Sequence, residues 1–241
     1  MLQVCSDLHL ERNDITESDF EKILKPSSEI LALAGDIGDP YSDIFEKFIV
    51  YCSKHFKYVL FVSGNHEYYY HTITEVDQCI ERLFGYFTNV IYLNNRIFEY
   101  DGITFVGSTL WSEILNNPDN DVEMWDLFQV CDYTLIKDFT PMYCDRLYKK
   151  NVEFICDKLE HKSCIIISHH APTYKCISEE YLGSKLNCVF ASQLDNLLEH
   201  PNLVGWVYGH THYNYIRYKQ HNFLYANGYR TDDYNSSGVA I

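Results

Sequence analysis

The side chains of this sequence that could do chemistry gather in five short strings: Asp7-Leu8-His9, Gly35-Asp36 with Gly38-Asp39, Gly64-Asn65-His66-Glu67, Ser168-His169-His170 and Gly209-His210-Thr211-His212. Carboxylate oxygens, imidazole nitrogens and one amide oxygen, with no thiolate among them, form a donor set for borderline divalent ions such as Mn, Fe, Co, Ni or Zn. Asp36 could bridge two such ions with its two oxygens. If the chain is still extended after the first strand, Asp7 and His9 point to one side and reach one ion, and His210 and His212 face one way for the same reason. Adjacent residues leave a strand on opposite sides, so Asn65 can bind an ion while His66 faces a substrate. Every string also has an ordinary reading: a strand-end Asp capping a turn, a Gly-Asp β-turn, or a core histidine bonded to backbone. What distinguishes the set is its order, because each string closes an apolar run.

That ordered set resembles the calcineurin-like metallophosphoesterase superfamily, and its small bacterial and viral members in particular. The family motifs read D-x-H, G-D-x-x-D or G-D-x-x-G, G-N-H-D or G-N-H-E, a strand-end His, and G-H-x-H. The resemblance runs from Asp7 to His212, and more loosely to Asn227-Gly228-Tyr229. It implies that Asp7, His9 and His212 bind a first metal, that Asn65, His169 and His210 bind a second, and that Asp36 bridges them. It implies His66 as a non-ligand acid that hydrogen-bonds the phosphoryl oxygen or protonates the leaving group. His169 is taken as the ligand ahead of His170, since the family's ligand directly ends the strand. His170, Asp39, Glu67, Tyr68 and Arg230 are then candidates for substrate contact or for support of the ligands. The implied cofactors are two divalent transition-metal ions, manganese first, with Fe, Zn, Co or Ni as alternatives. Two cations about 3.5–4 Å apart can share a hydroxide nucleophile and neutralise a phosphate under in-line attack. The implied activity is hydrolysis of a phosphomonoester or phosphodiester, a phosphatase or phosphodiesterase reaction on a small phosphorylated or nucleotide-like substrate.

Two departures narrow this. Family members acting on phosphoproteins carry Asp-Arg-Gly after the bridging motif and an Arg before G-N-H-E. Here those places hold Asp39-Pro40-Tyr41 and Ser63. The large capping domain of the double-strand-break repair nucleases has no counterpart in the residues after His212. A nuclease acting on DNA or RNA stands as one alternative. A protein-binding scaffold of the same fold stands as another, against which retention of His66 argues.

The elements that must position these strings are readable as apolar, β-rich runs: Leu2 to Cys5, Ile30 to Leu33, Tyr58 to Val62, Ile103 to Val106, Cys164 to Ile167 and Val204 to Tyr208. Helical spacing predicts helices over Tyr41 to Lys54 and Tyr143 to Leu159. Alternation through residue 84 predicts βαβ units. Ile91 to Leu93, Ile97 to Tyr100 and Ile103 to Gly107 read as antiparallel strands, with Asp101-Gly102 as a hairpin turn, and Tyr213 to Ala226 reads the same way. Together with the resemblance this gives an α/β fold: a four-layer αββα sandwich of two mixed β-sheets flanked by helices, spanning 1–241 as one domain. Residues 112–140, rich in Asn and Asp near 116–121, read as a lid or a surface insertion. Tyr68, Tyr69, Tyr70 and His71 read as packing or as a recognition loop, and Asp132, Tyr133, Tyr229 and Arg230 as weaker substrate contacts.

Composition sets the outer bounds. Hydrophobic residues at 46% suffice for a large core, while a formal charge of −15 disfavours a general nucleic-acid binder. Bound divalent cations would reverse that sign locally. Nine cysteines, an odd number with no C-x-x-C pair, predict a reducing, cytoplasmic setting. The N-terminus has no signal-peptide pattern, and no apolar run approaches the ~20 residues of a membrane span.

Overall fold

A computed structural model describes residues 2–12, 15–115, 121–213, 216–219 and 222–226, the last two stretches as backbone only. The first sheet contains β1 (Leu2–Cys5), β2 (Ile30–Ala34), β3 (Tyr58–Val62) and β4 (Val90–Tyr92), in that order and parallel throughout. The second holds β5 (Arg96–Tyr100), β6 (Ile103–Ser108), β7 (Cys164–Ser168), β8 (Leu203–Tyr208), β9 (Ile216–Lys219) and β10 (Asn222–Ala226), ordered β5-β6-β7-β8-β10-β9. Its inner strands run parallel and its two edges, β5 and β9, antiparallel. The second sheet is therefore mixed, whereas the first is not.

Helices are α1 (Phe20–Ile23), α2 (Asp43–His55), α3 (Ile73–Phe84), α4 (Met124–Leu127), α5 (Asp132–Leu135), α6 (Pro141–His161) and α7 (Asn187–Phe190). Both long helices predicted from spacing are present, displaced by two residues at their starts. Their caps explain the boundaries: Ser42 accepts from the Phe45 amide, and Thr140 accepts from the Tyr143 amide with Pro141 as the first helical residue.

Strand alternation builds the layers. Leu60 and Val62 of β3 join Val4, Ala32, Ile165, Ile167 and Val207 in the core between the sheets. Val59 and Phe61 turn outward, where Phe61 meets Phe45 of α2 and Phe84 of α3. Ile166 and Trp206 turn to the opposite side, in the same cluster as Ile155 and Leu159 of α6. Burial on both faces is why the strands read as continuous apolar runs.

The structure corrects one strand. Ile91 to Leu93 does not begin the antiparallel group: β4 lies parallel to β3, with Tyr92 packed on Phe61 and Phe84. Antiparallel pairing begins one strand later, at the Asp101-Gly102 turn, where both residues have positive φ (50° and 77°) as a two-residue hairpin requires. At the far end, β9 and β10 do form an antiparallel pair, but β10 also joins β8 in parallel.

Residues 112–140 contain α4 and α5, with 116–120 outside the described residues. The start of this segment is tied to α6 by the buried Asp145 carboxylate, which accepts from the amides of Ile114 (2.7 Å) and Leu115 (3.2 Å). Among the described residues no helix is long and apolar enough to cross a membrane.

The inter-sheet core holds both halves of the site in register. Leu60→Ala, at a position with no exposed surface, is expected to lower unfolding free energy by about 2–5 kcal/mol in urea titrations. A loss below half of that would mean the sheets close over the void.

Candidate metal centre

All five strings arrive at one place, the C-terminal ends of β1, β2, β3, β7 and β8. After β1 the chain is not extended. Asp7 and His9 have φ of 55° and 48°, Asp36 has 53°, and His210 and His212 have 66° and 48°. Asp and His tolerate this left-handed region better than most side chains. Hydrogen bonds hold it: the Asp7 amide donates to the Gly35 carbonyl and the His9 amide to the Asp36 carbonyl, each at 3.0 Å. The two loops thus continue the pairing of β1 with β2 beyond the strands.

Two clusters of donor atoms are built from the predicted ligands, and a third group, His9 with Asp36 and His66, overlaps the first. In the first, His9 Nε2 lies 3.1 Å from His212 Nε2 and 3.8 Å from Asp36 Oδ2, and His212 Nε2 lies 3.4 Å from Asp7 Oδ1. In the second, His169 Nε2 lies 3.0 Å from Asn65 Oδ1, 3.1 Å from His210 Nδ1 and 3.4 Å from Asp36 Oδ1. Asp36 thus presents one oxygen to each cluster.

Hydrogen-bond chemistry tests whether these atoms suit a cation. His169 Nδ1–H donates to the Ala34 carbonyl at 2.9 Å, so neutral His169 turns a lone pair toward Asn65 Oδ1 and Asp36 Oδ1. The Asn65 amide nitrogen is engaged by Asp132 Oδ1 (2.8 Å) and the Tyr69 hydroxyl (3.2 Å), so its oxygen is also an acceptor. Acceptors facing acceptors at 3.0–3.4 Å repel unless something positive sits between them. One proton on His169 relieves some of these contacts; a divalent cation relieves them all. Metal-binding histidines commonly give their other ring N–H to a carbonyl or carboxylate. His169 does so with Ala34, and His9 Nδ1 lies 3.2 Å from Glu11 Oε1.

Charge points the same way. Burial opposes ionisation of Asp36, yet His169, His66 and His9 hold its carboxyl well below the usual range. Burial would likewise lower His169, but Asp36, with Asp7 beyond it, raises it to about 10. Burial also works against His212, and Asp7 raises it. The field of the two aspartates thus favours positive charge in the gap between the loops.

The remaining predicted residues separate. His170 does not enter either cluster; its Nδ1 meets the Thr109 carbonyl at 3.2 Å, and burial with neighbouring His169 pushes it down to about 3. It packs behind His210, ring centroids 4.3 Å apart. Asp39 accepts from the Tyr41 amide in the turn before α2, the ordinary reading of that string. Tyr68 is buried and donates to Asp77 at 3.0 Å, so it packs the interior rather than touching a substrate. Tyr69 lies against His66, centroids 4.3 Å apart, while Tyr70 is exposed. Tyr229 and Arg230 lie outside the described residues.

Glu67 acts beneath the cluster. Its buried carboxylate accepts from the amides of Gly64 (2.6 Å), Asp36 (2.9 Å), Ile37 (2.7 Å) and Gly38 (3.3 Å), tying the loops after β2 and β3 together. Burial, with the nearby charge of Asp36, raises its carboxyl to about 7 against the pull of those donors. Gly64 lets the two loops meet. A Cβ there would fall 2.1 Å from Asp36 Oδ1 and 2.7 Å from His169 Cε1.

Two further residues border the clusters in roles the sequence does not predict. Glu11 lies 3.3 Å from His66 Nδ1 as well as near His9, and although burial opposes it, hydrogen bonds from His66 and His9 hold its carboxyl down at about 2. Its signal was the continuation of the i, i+2 spacing through Asp7, His9 and Glu11. Asp132, read as a weak substrate contact, is buried against Asn65. No local motif marks it.

A profile described as calcineurin-like phosphoesterase matches residues 3–214. The uncharacterized protein L509 of Acanthamoeba polyphaga mimivirus is 34% identical over 244 residues, covering 88% of this chain and 85% of its own length. Among solved structures, the phosphopantetheinyl hydrolase of Mycobacterium tuberculosis superposes with a TM-score of 0.72 at 17% identity, covering 98% of this chain and 93% of the other. A dimetal phosphatase from Danio rerio gives 0.56 at 13% identity, covering 94% and 87%.

Glu67→Gln tests the brace. One amide oxygen cannot serve four buried N–H groups, and the new NH2 faces donors, so stability is expected to fall by about 2 kcal/mol or more. Urea unfolding checks this. Wild-type stability in the variant would show that the loops do not need the carboxylate.

Proposed function

The chain belongs to the calcineurin-like phosphoesterase family and is a metal-dependent phosphoesterase, and from that premise we propose that it hydrolyses small phosphate esters at a dinuclear centre, with His66 as the acid. The observation that carries this reading is the paired acceptor cluster joined by Asp36. Asp7, His9 and His212 would hold one ion, Asn65, His169 and His210 the other, and Asp36 both. Two divalent ions, manganese first, would supply charge neutralisation for the phosphate and acidity for the attacking water.

The chain's own residues do the rest. Glu11 holds the Nδ1 side of His66 at 3.3 Å, which leaves Nε2, 3.9 Å from Asp36 Oδ2, on the side of the cluster. Protonated there, His66 can donate to a phosphoryl or leaving-group oxygen. Its side chain keeps 12% of its surface open, so a small ester could approach it. At the other end, Phe190 stacks on His210 with centroids 5.1 Å apart and remains 38% exposed. That apolar edge suits an organic ester group better than a nucleic-acid backbone, as does the net charge of −15. Free cysteines at all nine positions suit a reducing cytoplasm.

A screen of phosphate esters with Mn²⁺ tests this: aryl phosphomonoesters and phosphodiesters, nucleotides, phosphopantetheinyl esters, and single-stranded DNA and RNA. Turnover of small esters that is lost on chelation is expected. Folded protein inactive with every transition metal would overturn the reading, and preferential digestion of nucleic acid at moderate salt would replace it with a nuclease. His66→Ala is expected to lower turnover at least ~100-fold while leaving about two ions bound per chain by elemental analysis. Loss of an ion in that variant would make His66 a ligand.

A further inference from the structure

Asn65 poses a chemical problem that an Asp ligand does not. The two ends of its amide have nearly the same shape and opposite character, so an ion bound by Oδ1 is repelled by the NH2 group after a half-turn of the side chain. Something must fix which end faces the centre. The structure supplies it from a distant part of the chain. Asp132, at the start of α5, is buried and offers only acceptor atoms when ionised. Its Oδ1 lies 2.8 Å from Asn65 Nδ2 and 2.9 Å from the Tyr69 hydroxyl, which itself accepts from Asn65 Nδ2 at 3.2 Å. Both amide hydrogens are thereby directed away from the cluster, and Oδ1 faces His169 Nε2 at 3.0 Å.

The same carboxylate reaches the acid. Tyr69, held by its hydroxyl on Asp132, places its ring on His66 with centroids 4.3 Å apart. Main-chain bonds fix α5 there: the Tyr70 amide donates to the Leu135 carbonyl at 2.8 Å, and the Lys137 amide donates to the His71 carbonyl at 3.0 Å. The chain just after Asp132 is thereby clasped by two main-chain bonds to the residues that directly follow Tyr69.

We infer that Asp132 is a positioning residue of the metal centre, locking the Asn65 amide with its oxygen toward the second ion and holding Tyr69 against His66. The part of 112–140 around α5 is then a fixed wall of the site rather than a detachable lid. This rests on the reading that Asn65 and His169 share an ion. It assigns Asp132 no contact with substrate.

The test is Mn²⁺ titration by calorimetry, with the magnetic-resonance signal of coupled Mn²⁺ pairs, on wild type, Asp132→Ala, Asp132→Asn and Tyr69→Phe. Asp132→Ala frees the amide, so the second ion is expected to bind about 10- to 100-fold more weakly, with the first unchanged and the coupled signal lost at equal loading. Asp132→Asn can still accept through its oxygen and is expected to restore most of that affinity. Tyr69→Phe removes the longer of the two Asn65 amide contacts and keeps the shorter one to Asp132; both ions should bind normally while kcat on an aryl phosphodiester falls with KM little changed. Equal weakening of both ions in Asp132→Ala, or wild-type affinity for both, overturns the inference. If Asp132→Ala does not fold, Asp132→Asn and Tyr69→Phe decide, and loss of an ion in Tyr69→Phe overturns it. A wild-type chain that binds one ion or none removes the dinuclear reading itself, a result distinct from any of these.

Discussion

The structure depends on one constraint: acceptor atoms from five separate loops are held at separations where, alone, they repel. Asp7, Asp36, Asn65 and four imidazoles meet at 3.0–3.8 Å with few protons to share among them. Attraction between Asp36 and His169 offsets only part of that repulsion. The larger favourable terms lie outside the cluster, in the two-sided burial of both sheets and in hydrogen bonds that cross between them, foremost the one by which His169, at the end of a second-sheet strand, reaches the Ala34 carbonyl on the first. That bond fixes the histidine's tautomer and the spacing of the two halves together. Packing therefore provides the stability, and the site takes up part of it in exchange for affinity toward cations.

The backbone shows the same trade. Asp7, His9, Asp36, His210 and His212 all occupy the left-handed region, at roughly 1–2 kcal/mol each for residues other than glycine. Clustering of such conformations at one site is characteristic of strain held for function. Here what holds them is visible: the loops after β1 and β2 bond to each other, Glu67 gathers four amides from the loops after β2 and β3, and the His210 amide donates to Asp7 Oδ1 at 2.8 Å. Each turn is kept in its unusual shape by a neighbouring turn, so the ligands form as a set.

This explains what could be read from the sequence. The ligand strings were legible because each is local, ends an apolar run and uses residue types with few other reasons to gather there. The route by which Asp7 and His9 reach a common point was not legible. Alternation in an extended strand and two successive left-handed turns both bring residues i and i+2 together, and the sequence does not distinguish them. β4 was misplaced because three apolar residues carry no information about which sheet they join; that is decided by packing on Phe61 and Phe84. Asp39 and Tyr68 were drawn toward the site by proximity in sequence, whereas Asp39 closes a turn and Tyr68 packs the interior. Asp132 failed in the opposite sense. It stands 67 residues from its partner, inside an irregular segment, and only the folded chain brings the two together.

Charge distribution links the centre to the character of its substrate. Only two carboxylates, Asp7 and Asp36, sit among the clustered donor atoms; the others are imidazoles and an amide, which carry no negative charge. Two divalent ions there would leave an excess of positive charge in the inner ring. Around it stand Glu11, Glu67 and Asp132, each turned away from the gap and engaged with a histidine, an amide or a tyrosine. They orient the inner groups while cancelling part of the field beyond them. Over a screening length of about 8–10 Å, a single phosphate at the mouth would feel the inner ring, while a polyanion extending across the surface would meet the chain's net charge of −15. On the proposed function, the arrangement would favour a phosphate that arrives alone on a small organic group.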